Sequence, residues 1–349
     1  MKLIKFLPLV LVASLTACES YKFEDNTDEP IYAFGTYVTY RMQIQNHFNG
    51  GKCVSDIKYI FEKYDAYADA TKQREVTNVW SLNQTNEPVT IDKDFYNLLN
   101  RVIELDKSLT YFSPLVGSLS SKWKVALNLS KEYDHFPYAL SQDEINLELA
   151  KINSSSLEIG TNDSGFYAQR KGEALLDLGG VAKGYALDMC RHYLEHHTGH
   201  TDDYLINAGN SSVLLGKNSQ RIKVWKQQDY EEGVYVVKVT DIRNQENLRI
   251  YNSFVSTSGI SEQHEEIDGK TYSHIINPLT GSAISNYDKI VVLNENTVGN
   301  GAMGDALSTS LMMSSEEEIQ KAEKDFGIKV IAVKSYEIVY QSRGVELYF

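Results

Sequence analysis

The sequence is short of cysteines, prolines and basic residues, and each shortage excludes a class of protein. Three cysteines among 349 residues are too few for a disulfide-rich scaffold, and six prolines leave no proline-rich linker between domains. The 34 basic residues are outnumbered by 47 acidic ones, which gives a net charge of −13. Because affinity for nucleic acid needs clustered Lys and Arg, we expect no nucleic-acid partner. Any bound anion must be held by local positive or hydrogen-bonding groups that overcome the negative electrostatic field of the whole protein.

Long apolar runs are also missing, apart from a short one at the N-terminus. Lys2 and Lys5 precede an apolar stretch over residues 7–15, which is too short to cross a bilayer comfortably. The Leu-Thr-Ala sequence before Cys18 resembles a bacterial lipobox. We therefore predict a signal peptide over residues 1–17 and a lipid on Cys18 that anchors an exported protein to a membrane, facing the periplasm. A plain secretory signal is the alternative interpretation.

The chain after Cys18 is predicted to contain a tether and one domain. Residues 18–32 are polar and acidic, and we interpret them as the tether. Residues 33–349 contain no repeat and no low-complexity segment, which favours a single domain. The remaining cysteines, Cys53 and Cys190, either pair in an oxidising compartment or stay as buried thiols, and the sequence leaves both possibilities open.

Apolar periodicity predicts a fold of the α+β class, with mixed β-sheets packed by helices, because strands and helices do not alternate regularly. Helices are predicted over residues 53–64 and 94–109, from a capping box at 141–144, from a Gly-Gly turn to about 196, over 301–313, and from a cap at 314–317 to about 326. Strands are predicted over residues 34–45, 165–176, 204–207, 213–215, 222–225, 234–239, 249–251, 289–293, 330–333 and 338–340.

The most informative stretch covers residues 177–188, with the sequence DLGGVAKGYALD. Gly179 and Gly180 let the backbone approach a ligand closely, since no Cβ stands in the way. The amides at the start of the following helix favour an anion, and Lys183 adds a mobile positive charge. The stretch therefore suits a phosphate or pyrophosphate. It matches neither G-x-G-x-x-G nor the P-loop pattern, so a simple tight turn is an equal alternative from the pattern alone.

A carboxylate and a hydroxyl lie one helical turn apart in the C-terminal part of the chain. Asp305 and Thr309 are at positions i and i+4 of a predicted helix, so both side chains project from one face. Oxygen ligands of this kind suit Mg²⁺, which shares its remaining positions with water and substrate phosphates. The alternative is a structural Asp followed by a Thr that bonds back to the helix.

Two further stretches carry groups that suit catalysis or binding. His274 lies just before an Asn277-Pro278 turn and is a candidate general base, or a structural histidine at a strand end. Residues 256–259, Ser-Thr-Ser-Gly, are interpreted as a hydroxyl-rich turn that either anchors a ligand or simply turns the chain.

The sequence from His192 to His196 matches the H-x-x-E-H pattern of some zinc proteases. We reject that function because the segment closes a predicted helix, where histidines also suit the helix dipole. Adventitious metal binding remains as an alternative.

Four of these stretches, together with Asn207-Ala208-Gly209, resemble in their order along the chain the ApbE-like family of FAD:protein FMN transferases. The resemblance covers about residues 34–349. It is strongest at residues 177–188 and continues at 207–209, 256–259, 274–281 and 305–309. Weaker similarities lie at 34–36, 61–64, 77–83 and 111–117. The fold is accordingly expected to be a single ApbE-like domain.

The resemblance implies a reaction and a site. Members bind FAD and a divalent metal such as Mg²⁺, transfer FMN to a Thr hydroxyl of an exported acceptor flavoprotein, and release AMP. By position, the metal ligands would be the Gly180 carbonyl, Asp305 and Thr309, and His274 would accept the proton of the acceptor hydroxyl. The implied FAD contacts are Phe34, Tyr64, Tyr111, Phe112, Ser113, Asp177, Lys183 and Ile275.

The chain also departs from the family pattern. Phe34 replaces Met, Ser113 and Asn277 each replace Asp, Asn210 replaces Gly, and Gly304 replaces Ala. Because two carboxylates are missing, two alternative functions stay open: an FAD-binding lipoprotein without transfer activity, and hydrolysis of FAD to FMN and AMP.

Overall fold

The computed structural model describes residues 21–26, 28–45, 50–196, 200–209, 211–216, 236–240, 247–249, 253–260, 263–335 and 337–348. The predictions at Cys18, Asn210 and residues 222–225 lie outside these ranges. Each helix in these ranges is either too short or too polar to span a bilayer.

The fold is α+β, as predicted, and its strand pairs in the described part of the chain are antiparallel. The strands are β1 (Tyr21–Asp25), β2 (Ile31–Ala33), β3 (Thr36–Gln45), β4 (Val89–Thr90), β5 (Ser156–Asn162), β6 (Gly165–Lys171), β7 (His200–Ala208), β8 (Ser212–Leu215), β9 (Val236–Thr240), β10 (Asn247–Arg249), β11 (Ser253–Gly259), β12 (His264–Ile267), β13 (Lys270–Ser273), β14 (Lys289–Glu295), β15 (Lys329–Lys334), β16 (Glu337–Gln341) and β17 (Val345–Tyr348). The helices are α1 (Gly50–Ala68), α2 (Val79–Asn83), α3 (Lys93–Ser108), α4 (Gly117–Ala126), α5 (Gln142–Asn153), α6 (Ala182–His196), α7 (Asn300–Leu311) and α8 (Glu316–Phe326).

The main sheet has the strand order β1-β3-β7-β8-β11-β14-β15-β16, and β2 adds to β3. The middle of β14, from Ile290 to Leu293, is apolar without interruption because both faces of the strand are covered. Ile290 and Val292 belong to the large core under the helices, whereas Val291 and Leu293 belong to a smaller core on the opposite face. Strands that are buried on both sides lose the usual alternation of apolar and polar residues. Helix α7 packs across β11 and β14 on the side of the large core.

A buried carboxylate joins α6 to the start of α7. Asp188 on α6 is fully buried and accepts backbone hydrogen bonds from Gly299 at 2.7 Å, Gly301 at 2.9 Å and Ala302 at 2.8 Å. The first N–H groups of a helix have no partner within it, so a carboxylate placed there satisfies them and complements the helix dipole. Burial nevertheless raises the pKa of Asp188 to about 7, while these hydrogen bonds act in the opposite direction.

Several predictions at the level of single elements were wrong. The predicted tether contains two strands, because β1 pairs along β3 from Tyr21 to Asp25 and β2 pairs with the start of β3. Residues 256–259 do not form a turn but belong to β11, between β8 and β14. The capping box of α8 is shifted by one residue from the predicted cap at 314–317, because Ser315 and Glu318 form it.

The predicted capping box of α5 is confirmed: Ser141 accepts from the backbone of Glu144, whose carboxylate accepts from the backbone of Ser141. Cys53 and Cys190 are free thiols, and burial raises the pKa of both.

Candidate functional site

A cavity of about 710 Å³ opens between the hairpin turn of β2 and β3, the loop before α4, the start of α6 and the end of β11. Most of the sequence-predicted site residues converge on it from distant parts of the chain. Those that line the cavity are Phe34, Tyr111, Phe112, Ser113, Asp177, Gly180, Lys183, His274, Ile275 and Thr309.

The glycine turn before α6 forms one wall of this cavity. The Asp177 carboxylate accepts a hydrogen bond from the Gly179 amide at 2.8 Å and so fixes the turn. A Cβ added at Gly180 would lie 3.5 Å from the Thr309 hydroxyl oxygen and 3.6 Å from the Phe112 ring. The Gly180 backbone and the Thr309 side chain are therefore neighbours at the cavity wall.

Asp305 lies directly behind that wall and is buried, with 6% of its surface exposed. Its carboxylate accepts hydrogen bonds from the Gly184 amide at 2.6 Å and from the Ser212 hydroxyl at 2.7 Å. Burial raises the pKa of Asp305, and the Lys183 ammonium is the largest influence that opposes the rise. A buried carboxylate next to a mobile lysine is an electrostatic centre rather than a packing residue.

Thr309 lies one helical turn after Asp305 and lines the cavity. Its hydroxyl donates back to the Asp305 carbonyl oxygen at 3.0 Å and lies 3.1 Å from the Ser258 hydroxyl on β11. Carboxylate, hydroxyl and backbone carbonyl oxygens are the ligands that small hard divalent cations prefer. Asp305, Thr309 and the Gly180 carbonyl therefore fit such a cation in donor type.

The cavity also contains the candidate general base. His274 follows β13, and its ring nitrogen Nδ1 lies 3.4 Å from the backbone oxygen of Gln263, which also lines the cavity. The loop from His274 to Gly281 is tied to α4, because the Trp123 indole nitrogen donates to the Gly281 carbonyl at 2.9 Å and the Trp123 ring stacks on Tyr272. The histidine is therefore carried by an anchored loop.

Two predicted site residues do not reach the cavity surface. The Asp305 side chain stays behind the wall, as described above. Tyr64 faces the large core from α1 with 4% of its surface exposed, and its ring packs against Tyr67 at 5.6 Å and Tyr185 at 5.2 Å between centroids. Tyr64 was predicted to contact FAD, but it does not line the cavity, because its ring packs between α1 and α6.

Sequence reasoning missed two lysines of the cavity, Lys124 on α4 and Lys289 at the start of β14. Together with Lys183 they place three cationic side chains around one cavity of an acidic protein, which favours an anionic ligand there. The three lysines lie far apart in the sequence, so no local cluster of charges indicated that they share a site. The one available signal was a lysine that opens the apolar run of β14.

The two missing carboxylates have different consequences. Asn277 does not line the cavity; its side-chain oxygen accepts from the amides of Leu279 at 2.9 Å and Thr280 at 3.2 Å, which an Asp would do equally well. Ser113 does line the cavity, and its side chain hydrogen-bonds the carboxyl of Asp106 on α3. Burial raises the pKa of Asp106, and that hydrogen bond partly opposes the rise. The carboxyl group of Asp106 therefore lies next to Ser113, the position at which the family pattern has an Asp.

The fold and the site define a class: an α+β protein with a cavity that three lysines line, beside a buried carboxylate. The chain belongs to the ApbE family, whose sequence profile matches residues 34–332. It is 25% identical over 264 residues to the FAD:protein FMN transferase of Treponema pallidum, which covers 74% of this chain and 70% of that protein.

Other comparisons agree with this assignment. Identity with the FAD:protein FMN transferase of Rhodobacter capsulatus is 28% over 223 residues, which is 63% of this chain but only 38% of that protein. The crystal structure of the ApbE protein of Thermotoga maritima superimposes with a TM-score of 0.64 at 22% identity, covering 94% of this chain and 96% of that chain. The flavin transferase ApbE of Vibrio cholerae superimposes with a TM-score of 0.63 at 20% identity, with 94% and 96% covered. The similarity to these two structures defines the fold.

Proposed function

We propose that this protein is an FAD:protein FMN transferase that moves the FMN half of FAD onto a threonine hydroxyl of an acceptor protein and releases AMP. The observation that carries the proposal is the convergence on one cavity of Gly180, Lys183, His274 and Thr309, with the Asp305 carboxylate directly behind. The names of the relatives support the reaction class, and the cavity supports a substrate that carries two phosphates.

Asp305, Thr309 and the Gly180 carbonyl would hold the divalent cation, which we propose to be Mg²⁺. When bound, this ion would neutralise phosphate charge and orient the pyrophosphate. Lys183 and the amides at the start of α6 would bind the phosphate oxygens, because a helix N-terminus and a lysine both favour negative charge. Phe34, Tyr111 and Phe112 line the cavity with flat apolar rings that suit contact with an aromatic ring system.

His274 would act as the general base. The acceptor hydroxyl oxygen forms a new bond to the phosphorus of the FMN half, the bond between that phosphorus and the bridging oxygen breaks, and the proton of the hydroxyl passes to the imidazole. AMP leaves with the bridging oxygen. Catalysis then depends on position and electrostatics, since no covalent bond to this chain is needed.

The cellular setting is part of the same proposal. A lipid on Cys18 would hold the protein on the periplasmic side of a membrane, where an exported flavoprotein subunit is the acceptor. The mature chain would then meet its substrate protein at the membrane surface. Mass spectrometry of the protein isolated from membranes, with a Cys18→Ala control that stays soluble, tests this part separately.

The activity is tested by incubating the purified mature protein with FAD, Mg²⁺ and a candidate acceptor protein that carries the target threonine. We expect a mass gain equal to FMN on the acceptor and an equal amount of AMP, both abolished by EDTA or by a Thr→Val change in the acceptor. Free FMN without any adduct would support hydrolysis of FAD instead. A flavin-bound protein that releases neither AMP nor FMN would support the binding function alone.

A further inference from the structure

The last turn of α6 carries three metal-ligating side chains that the proposed function does not use. His192, Glu195 and His196 are all exposed, and each offers a ligand atom that lies within 4.8 Å of those of the other two. The two imidazole rings are 4.3 Å apart between centroids. Residues at i, i+3 and i+4 of a helix share one face, so the helix itself brings the three groups together.

One of the histidines has its ring orientation set by the backbone. Nδ1 of His196 lies 2.8 Å from the carbonyl oxygen of His192, an acceptor, so Nδ1 carries the proton. The lone pair is therefore on Nε2, which is the nitrogen left to bind a metal. A ligating histidine in proteins regularly donates its other N–H to a carbonyl or carboxylate in this way, which fixes the tautomer and the ring.

The local electrostatics also favour a cation. The cluster lies at the C-terminal end of α6, where the helix dipole stabilises positive charge. Among the described residues, Glu195 has one ion-pair partner, Arg191, at 3.8 Å, and an exposed ion pair of this length stabilises the protein little. A metal ion bound there would replace a weak contact with direct coordination.

We propose that His192, Glu195 and His196 form a Zn²⁺ site of the His₂Glu type, with solvent in the fourth position. Two imidazoles and one carboxylate match the ligands that Zn²⁺ takes in tetrahedral sites, whereas Mg²⁺ prefers oxygen ligands alone. The site is distinct from the cavity, because Lys183 and His196 are separated along α6 by about 20 Å at the rise of an α-helix. Bound Zn²⁺ would clamp the final turn of the helix whose first turn forms the cavity wall.

The test uses the mature protein purified without a polyhistidine tag, stripped with EDTA and then kept in excess Mg²⁺ so that the hard-cation site does not compete. Calorimetric titration with ZnCl₂ should show one saturable Zn²⁺ per chain, and Zn²⁺ should raise the melting temperature. A His192→Ala, His196→Ala double variant should bind Zn²⁺ on the order of tenfold more weakly or worse and lose the thermal shift. Glu195→Gln should show a smaller loss of affinity.

A matched control comes from two other exposed histidines. His135 and His264 each place Nδ1 against a backbone carbonyl oxygen, as His196 does, but neither has a second metal-ligating histidine beside it on a helix face. A His135→Ala, His264→Ala double variant should bind Zn²⁺ like the unmodified chain. Equal affinity in both double variants, equal losses in both, or no saturable binding by the unmodified chain would each overturn the proposal.

Discussion

Gly184 on α6 and Gly301 on α7 meet backbone to backbone. A Cβ added at Gly184 would lie 2.1 Å from the Gly301 carbonyl oxygen, and one added at Gly301 would lie 2.3 Å from the Gly184 carbonyl oxygen. No other residue type permits this approach. Since α6 begins at the glycine turn and α7 carries Asp305 and Thr309, the contact sets the spacing between the two halves of the proposed cation site.

Replacing Gly184 by Ala should therefore destabilise the protein despite the better helix propensity of Ala. Ala gains about 1 kcal/mol over Gly in an open helix. Forcing two backbones apart outweighs that gain, and we expect a net loss of about 1–3 kcal/mol in the free energy of unfolding. Urea denaturation measures the change.

Gly304→Ala is the matched control for that experiment, because it makes the same substitution on the partner helix. The nearest obstacle there is the Ser256 side-chain oxygen at 2.6 Å, which can move, rather than a backbone atom. We expect a smaller loss than at Gly184. A larger loss at Gly304 would contradict the account.

Asp188→Asn should destabilise the protein and change its pH dependence. The amide places an N–H donor near one of three backbone donors, at a cost of about 1–3 kcal/mol. The folded pKa of Asp188, about 7, lies above the ordinary value of 3.8, so the folded state binds the extra proton between those values. The contribution of this group to stability therefore grows as the pH falls from about 7 to about 4.

Since Asn does not titrate, the stability gap between the unmodified chain and the Asp188→Asn variant should widen over that pH range. Thermal unfolding at intervals from pH 7 to pH 4 checks it. A gap that stays constant, or that narrows towards acid, would show that Asp188 is ionised in the folded protein throughout.

Lys183→Met should weaken FAD binding while it leaves the fold intact. Hydrogen bonds to charged groups contribute about 1.5–3 kcal/mol, so the dissociation constant should rise by about tenfold to a hundredfold. Flavin fluorescence quenching measures it. Lys171→Met is the control, because that lysine pairs with Glu158 on β5, away from the cavity lining, and its loss should leave FAD affinity unchanged.

His274→Ala should slow FMN transfer by about 10²–10⁴-fold and leave the affinity for FAD nearly unchanged, because a general base acts on the acceptor hydroxyl and not on the bound dinucleotide. Single-turnover AMP release and an FAD titration separate the two effects. His264→Ala, on β12, should retain the full rate. Loss of FAD binding in the His274 variant, rather than of the rate, would make this histidine a binding residue.

Asn277→Asp should change neither stability nor activity, although it restores a residue typical of the family. Both side chains offer the same oxygen to the amides of Leu279 and Thr280, so we expect a change within about 0.5 kcal/mol. Asn277→Ala removes that acceptor and should cost about 1 kcal/mol. A faster reaction in the Asp variant would place this position at the reacting groups.

The sequence predicted those parts of the fold that depend on neighbouring residues. The Ser141 and Glu144 capping box, the apolar face of α3 and the glycine turn before α6 all depend on short-range chemistry, and each lies where it was expected. In contrast, α4 was missed. Its N-cap, Val116, makes no side-chain hydrogen bond, and the start of the helix is set by Gly117, which packs against the carbonyl groups of Leu175 and Leu176.

The hydroxyl-rich segment in β11 shows why tertiary contacts override local signals. Ser256, Thr257 and Ser258 were expected in a turn, since Ser and Gly favour turns. In the structure the Ser256 hydroxyl interacts with Asp305, and that of Ser258 lies 2.9 Å from the Ser308 hydroxyl. Asp305 and Ser308, on a helix about fifty residues away, provide hydrogen-bond partners for these hydroxyl groups. The strand is therefore stable, and no local sequence pattern could predict those partners.

Local sequence was also insufficient to place the side chain of Tyr64. A tyrosine on an amphipathic helix can face either a ligand or the core, and the choice depends on what packs against it. Here Tyr185, from the helix that leaves the glycine turn, occupies the intervening space. Apolar periodicity predicted the helix, but it could not show that this ring packs into the core.

The indole of Trp123 gives the loop of His274 an optical reporter of its own. Its nitrogen bonds Gly281 at one end of that loop, and its ring stacks on Tyr272 at the other. Any displacement of the histidine loop when a dinucleotide or an acceptor enters must therefore alter the surroundings of this chromophore. Emission from a chain in which Trp80 and Trp225 are replaced by Phe would follow the loop in real time without an added label.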